Sequence, residues 1–457
     1  MVWVCSLELE RLFKAVDESY EGALKLLEEL VKVPSVSARG EHLEDAAGLV
    51  KDFLEEVGVS ARLLRISNAP PVVYGDSGHG DKVLLFYNHY DVQPPEPLEL
   101  WKHPPFKLSI LDDLAYGRGV ADNKGCLIAR IWAIKTILEV KDELPLRVKF
   151  FVEGEEEVGS PHIREYVEKY GGMFKADGGI WETAYRNRRG QLSIYLGLKG
   201  IVYLELRVKA LRMDAHSSLA PILPNAAWRL IHLLSDLRDE KGRILIPGFY
   251  DDVEPPTPED VKLLEELRFD EEEIMELFGV KSLLGGVRGL EAAKRLYLEP
   301  ALSVDGIVAG YTGPGSKTVI PAEATAKIDF RLVPRQTPER VVKLFKDYLK
   351  ARGYGDIEVI EHGSEPPAKT PPNSPIVEAT IKAAERVYGL KPAVLPMMAG
   401  SGPMYYFTEL LGIPMASAGV GYYNSRVHAP NENIRIEDFK LGIKHIIATI
   451  YNFASKS

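Results

Sequence analysis

Apolar positions along the chain follow two different rhythms. In EHLEDAAGLVKDFLEEVG, Leu43, Ala47, Val50, Leu54 and Val57 recur at helical spacing, and Gly58 stands where such a helix would stop. Together with the segment before it, this predicts two amphipathic helices at the start. From there short apolar runs alternate with longer helical ones. KVLLFYNH, LRVKFFVEG and ADGGIWE predict strands, and GCLIARIWAIKTILEV and HIREYVEKYGG predict helices. Strands apolar on both sides and separated by helices predict an α/β domain with a mostly parallel sheet flanked by helices.

The rhythm changes near Gly200. IVYLELRVKA alternates with period two, as a half-exposed antiparallel strand does. A helix over 225–237, an acidic segment over 251–276, strands over 301–310 and 325–333, a helix after Thr337 and a strand over 356–360 follow. The order β-α-β-β-α-β predicts an α+β ferredoxin-like layer. The Pro-rich stretch GSEPPAKTPPNSP marks its exit, after which a helix over 375–388 and the strand IPMASAGV resume the first rhythm. The predicted organisation is one α/β domain in two parts, residues 1–198 and 367–457, with residues 199–366 inserted between them.

Composition narrows the chemistry. The 56 Lys and Arg against 66 Asp and Glu give a formal charge of −10, which argues against nucleic acid or an anionic membrane as partner. The run around Cys126 to Val140 is broken by Arg130 and Lys135, and the first residues lack the pattern of an export signal, so the expectation is a cytoplasmic protein. Only two cysteines, Cys5 and Cys126, are present. Any bound metal must therefore be held by imidazole and carboxylate.

Ligands of open α/β sheets bind beyond the carboxyl ends of the strands, and polar clusters sit at such ends here. In NHYDVQPP, His89 and Asp91 are two apart and project to one side of an extended chain, where the carboxylate can orient the imidazole. A locally bonded strand-end histidine is the plainer alternative. In GRGVADNKG, Asp122 precedes a predicted helix, either as an ordinary N-cap or as a ligand. In EGEEEVGS, Glu153, Glu155, Glu156 and Glu157 crowd the mouth of a buried strand. Such acids repel unless a cation compensates them or one holds a proton. Glu182, ending ADGGIWE, and His428, in SRVHAPNE, complete the set. Mixed imidazole and carboxylate ligands in this number suit two Zn²⁺ ions, or Co²⁺ or Mn²⁺, and two cations about 3.5–4 Å apart are a recurrent hydrolytic device.

These motifs, in this order, make the chain similar to the di-zinc exopeptidase and deacylase family, which includes carnosinase-type dipeptidases, glutamate carboxypeptidases, acetylornithine deacetylase and succinyl-diaminopimelate desuccinylase. The resemblance implies that His89 and Glu182 hold one zinc, Glu157 and His428 the other, and that Asp122 bridges both. It implies that Asp91 orients His89 and that Glu156, rather than Glu155, is the general base. It makes the inserted block a dimerisation lid, so that a homodimer is expected and His216 reaches into the partner's site. Arg331 would bind the substrate's terminal carboxylate, Thr318 and His362 would belong to the same substrate-binding set, and Gly400 and Ser401 would supply backbone donors. In PMMAGSGP, Met397 and Met398 stand where carnosinase-type members carry an acid that pairs with a free substrate amine. The expected activity is cleavage of an amide next to a free carboxylate in a dipeptide or short peptide. The alternative is deacylation of an N-acyl amino acid.

Overall fold

The computed structural model describes residues 2–455. They form two compact units, one of residues 1–197, 369–396 and 403–457, the other of residues 198–368 and 397–402.

The first unit is built on a six-stranded sheet. Its strands Arg147–Glu153, Val83–His89, Gly178–Trp181 and Met415–Ser417 run parallel in that order. Ser60–Leu64 and Val72–Ser77 extend the sheet antiparallel at one edge. The parallel part follows the apolar runs. The antiparallel pair escapes them because SARLL is half exposed and VVYGDS is interrupted by Gly75 and Asp76.

Helices cover both faces. Neighbouring residues of one strand point to opposite sides: Tyr74 packs its ring on Phe174 of the helix Ile163–Phe174, whereas Gly75 faces Leu54 of the helix Leu43–Glu56. The helix Lys124–Lys141 is buried around almost its whole circumference from Lys124 to Ile137, because the helices Val2–Lys32 and Ile436–Ala454 pack on it. No helix among the described residues is long and apolar enough to cross a membrane.

The second unit carries a four-stranded antiparallel sheet in the order Ala301–Ala309, Glu323–Leu332, Gly200–Lys209, Glu358–Glu365. That is the ferredoxin-like order, with the helices Ala226–Leu237 and Pro338–Ala351 supplying its apolar cover. The acidic segment folds as the helices Pro258–Leu267 and Glu271–Phe278, followed by Gly289–Leu298. Met397 is wholly buried against Leu264, Ala293 and Leu298 of these helices, which is why the loop 397–402 groups with this unit. Met398 is half-buried.

Candidate active site

Three parallel strands of the first unit end side by side. His89 lies opposite Glu153 in the register, and Glu182 follows the strand Gly178–Trp181 directly. A short turn, Glu156–Val158, then aims the glutamates, closed by Gly159 in the left-handed region at φ 83°. Gly154 leaves no room for a side chain, since a Cβ there would fall 2.3 Å from the Tyr90 ring. His428 reaches the same place from a loop held between two short strands, Gly421–Tyr422 and Asn433–Arg435, each paired to an earlier part of the unit.

Asp122 lies between the two histidines, one oxygen toward each. His89 Nε2 is 3.1 Å from Asp122 Oδ1 and His428 Nε2 is 3.4 Å from Oδ2. His428 Nε2 is also 2.9 Å from Glu157 Oε2, and His89 Nε2 is 3.5 Å from Glu182 Oε2. Asp91 stands behind, with Oδ1 3.2 Å from His89 Nδ1. It also accepts the backbone N–H groups of Glu156 at 3.3 Å and Glu157 at 3.1 Å, so one carboxylate orients the histidine and both glutamates. Donor atoms of His89, Asp122 and Glu157 lie within 4.8 Å of one another, as do those of His89, Glu156 and Glu182.

The electrostatics are those of a cation site. Burial pushes the Glu182 carboxyl up to about 8 even with His89 beside it, and Asp122 and Glu157 add to the rise. Burial and the charge of Glu182 likewise raise Glu156 well above the usual carboxylate range. Burial opposes ionisation of Asp122 as well, but the bonds from His428 and His89 hold it far below its ordinary value. His428 is drawn up to about 10, the bonds to Asp122 and Glu157 outweighing its burial. The carboxylates thus favour positive charge at the middle of the cluster, the place a divalent cation would take. Glu182 Oε2 is buried with no hydrogen-bond partner among the described residues, an orphan aimed at the cluster. His89, Asp122, Glu157, Glu182 and His428 therefore fit metal ions chemically: oxygen and nitrogen donors converge, and one buried acceptor is left unsatisfied.

Several residues that hold the site carry no signal in the sequence. Arg130, wholly buried, donates to the carbonyls of Tyr87, Trp181 (2.5 Å) and Ala418 (3.1 Å) and to Asn88 Oδ1 (2.5 Å). Asn88 bonds Asn123, and Asn123 Nδ2 donates to the Glu182 carbonyl at 2.9 Å. Gln93 Nε2 donates to Glu157 Oε2 at 2.9 Å. Glu432 accepts backbone N–H groups of the Asp122 loop. Of these all but Arg130 fall inside the site motifs quoted above, though none of them was singled out there.

The second unit gathers its own candidates. His216 and Thr318 meet where Ala215–His216 pairs with Val319–Ile320, with Thr318 Oγ1 3.4 Å from His216 Nε2. Arg331 donates to Asp329 at 2.8 Å and to Ser401 Oγ at 3.0 Å, so the loop containing Gly400 and Ser401 is bonded to it. His362 is the extra residue of a bulge between Gly363 and Glu361, and its Nε2 lies 2.9 Å from Glu205 Oε2.

Comparison with known proteins gives this arrangement its context. Beta-Ala-His dipeptidase of Rattus norvegicus is 30% identical over 368 residues, covering 75% of this chain and 74% of that one. Cys-Gly metallodipeptidase dug1 of Schizosaccharomyces pombe is 28% identical and covers 99% of both chains. An M20 family metallo-carboxypeptidase from Sulfolobus solfataricus superposes with a TM-score of 0.90 at 43% identity, over 94% of this chain and 99% of that one. Human carnosine dipeptidase 1 superposes with a TM-score of 0.80 at 27% identity, over 98% and 99%. Residues 85–452, from the strand that ends in His89 to the last helix, match the model of Peptidase family M20/M25/M40, and the chain belongs to that family of metallopeptidases, hydrolases of the peptide bond.

Proposed function

We propose that the protein is a metal-dependent exopeptidase that cleaves the amide bond next to a free carboxylate in dipeptides and short peptides. The observation that carries this is the position of Asp122 between His89 and His428, with Glu156 alongside. His89 and Glu182 would hold one cation and Glu157 and His428 the other, with Asp122 available to both. We assign Zn²⁺, two per subunit, with Co²⁺ or Mn²⁺ accepted by the same donors. Divalent cations bound there supply Lewis acidity toward the scissile carbonyl and lower the pKa of water. Asp91 fixes the tautomer and tilt of His89. Glu156 takes a proton from the attacking water and delivers it to the leaving amine nitrogen; its raised pKa suits it to both halves of that transfer.

Substrate roles follow the family resemblance. Arg331 pairs its planar guanidinium with the terminal carboxylate, helped by Thr318 and His362, while Gly400 and Ser401 add donors. His216 stabilises the oxyanion from the partner subunit. The homodimer this requires is supported by the strand Ala301–Ala309, which edges the second unit's sheet with Ile307 and Val308 exposed. The similar proteins reported above are peptidases by name, which does not favour the deacylase alternative. Met398 in place of an amine-pairing acid supports tolerance of a blocked N-terminus. A panel of a free dipeptide, its N-acetyl and C-amidated forms and N-succinyl-diaminopimelate tests the assignment. The first two should be cleaved and the amidated one spared; release from the succinyl compound alone would sink the exopeptidase assignment.

A further inference from the structure

Glu432 closes the motif SRVHAPNE, four residues beyond His428, and is 1% exposed. Its Oε1 accepts the backbone N–H groups of Ala121 at 2.9 Å and Asp122 at 3.1 Å. Its Oε2 accepts the N–H of Gly119 and Arg118 Nη1, both at 2.9 Å. Arg118 is equally buried; it also donates to the Pro94 carbonyl at 3.2 Å and lies over the Trp101 ring. A single carboxylate therefore ties the loop that ends in Asp122 to the loop that bears His428, and through Arg118 to the segment after His89 and Asp91.

Neutralising Arg118 would need only one of these bonds. The other three are spent on amides that lead up to Asp122, whose two oxygens face the two histidines. The His428 loop is held under tension of its own: His428 and Asn431 are left-handed at φ 60° and 63°, a conformation that non-glycine residues keep only when their surroundings enforce it. Asn431 is pinned by the N–H of Lys102 at 2.7 Å and by the Leu100 carbonyl at 2.8 Å. Glu432 follows at once, so any slack in its bonds passes directly to both Asp122 and His428.

We infer that Glu432 is a positioning residue that sets the separation of Asp122 and His428, and thereby the affinity of the site for its cations; the inference rests on the metal assignment made above. The test uses the full chain stripped of metal, titrated with Zn²⁺ against a chromophoric chelator and with Co²⁺ followed by its visible absorption. A wild-type chain that takes up neither ion overturns the metal assignment itself. Given uptake by the wild type, Glu432→Gln should weaken Zn²⁺ binding by about 10–100-fold, the range for partners of metal ligands, and alter the cobalt bands. The double variant Arg118→Met/Glu432→Gln removes both buried charges; it should recover the thermal midpoint of the metal-free protein but not its Zn²⁺ affinity. Three results would overturn the positioning role: unchanged affinity in Glu432→Gln, affinity that returns with the midpoint in the double variant, or failure of both variants to fold without metal.

Discussion

Glu156 and Glu157 are neighbours in sequence with the same side chain, yet their surroundings separate them. Glu157 Oε2 has two partners, His428 and Gln93, which suits a fixed ligand, whereas Glu156 is raised by burial and by the acidic charges around it, which suits a group that exchanges a proton. Glu156→Gln should lower kcat by about 10²–10⁴-fold while the metal content stays unchanged, measured on the same sample by steady-state kinetics and elemental analysis. An unaltered kcat would move the proton transfer to another residue. Arg331→Ala should raise KM for substrates with a free carboxylate and leave that for amidated analogues where it was; equal effects on both would remove the guanidinium from recognition. At this scale the sequence showed the donors, because their chemistry is a property of residue type. It hid their supports. Arg130 reads as a charge breaking an apolar run, but its guanidinium is buried and joins the ends of three strands that only the fold brings together.

At the scale of elements, legibility followed locality. The central strands were evident because burial on both faces demands an unbroken apolar run, and that run is local. The antiparallel pair Ser60–Leu64 and Val72–Ser77 was not: the first is paired on one side only and can be short and half polar, and the second, though paired on both sides, has its apolar run cut short by Gly75 and Asp76. The acidic stretch of the inserted block gave no hint of the helices that bury Met397, because the apolar partner lies more than a hundred residues away. The edge strand Ala301–Ala309 carries Ile307 at 53% and Val308 at 67% exposure. A lysine on such an edge blocks strand addition without touching a core. Ile307→Lys should therefore convert the proposed dimer to monomer in sedimentation velocity, with a change in subunit stability within about 0.5 kcal/mol. A wild-type protein that is active and monomeric would refute the action of His216 across an interface.

For the whole molecule, pH dependence of stability exposes a group the chemistry does not use. His445, on the last helix, is fully buried; its Nε2–H donates to the Thr380 carbonyl at 3.0 Å, its Nδ1 has no partner among the described residues, and the Tyr388 ring lies against it. Burial pushes its pKa down to about 4. The unfolded chain, with a histidine near 6.5, binds a proton in the interval from 6.5 to 4 that the folded one refuses, so stability is full above that interval and falls as pH falls through it. Urea unfolding of the metal-free protein at pH 7 and pH 4.5 should show wild type losing roughly 2–3 kcal/mol more than His445→Leu. Equal losses would place the acid sensitivity elsewhere.

By itself the sequence determined the kinds of element, since periodicity is written along a few turns of chain, and the kinds of ligand, since two cysteines among 457 residues leave imidazole and carboxylate. Its ordered motifs also carried the family. Tertiary structure alone decided which groups are satisfied and which are not: that Asp122 faces two histidines, that a buried Glu182 oxygen has no hydrogen-bond partner among the described residues, and that Glu432 and Arg130 brace the loops and strand ends beneath them. These are matters of distance and burial, which depend on parts of the chain far apart in sequence, and distance and burial set charge states and bond strengths.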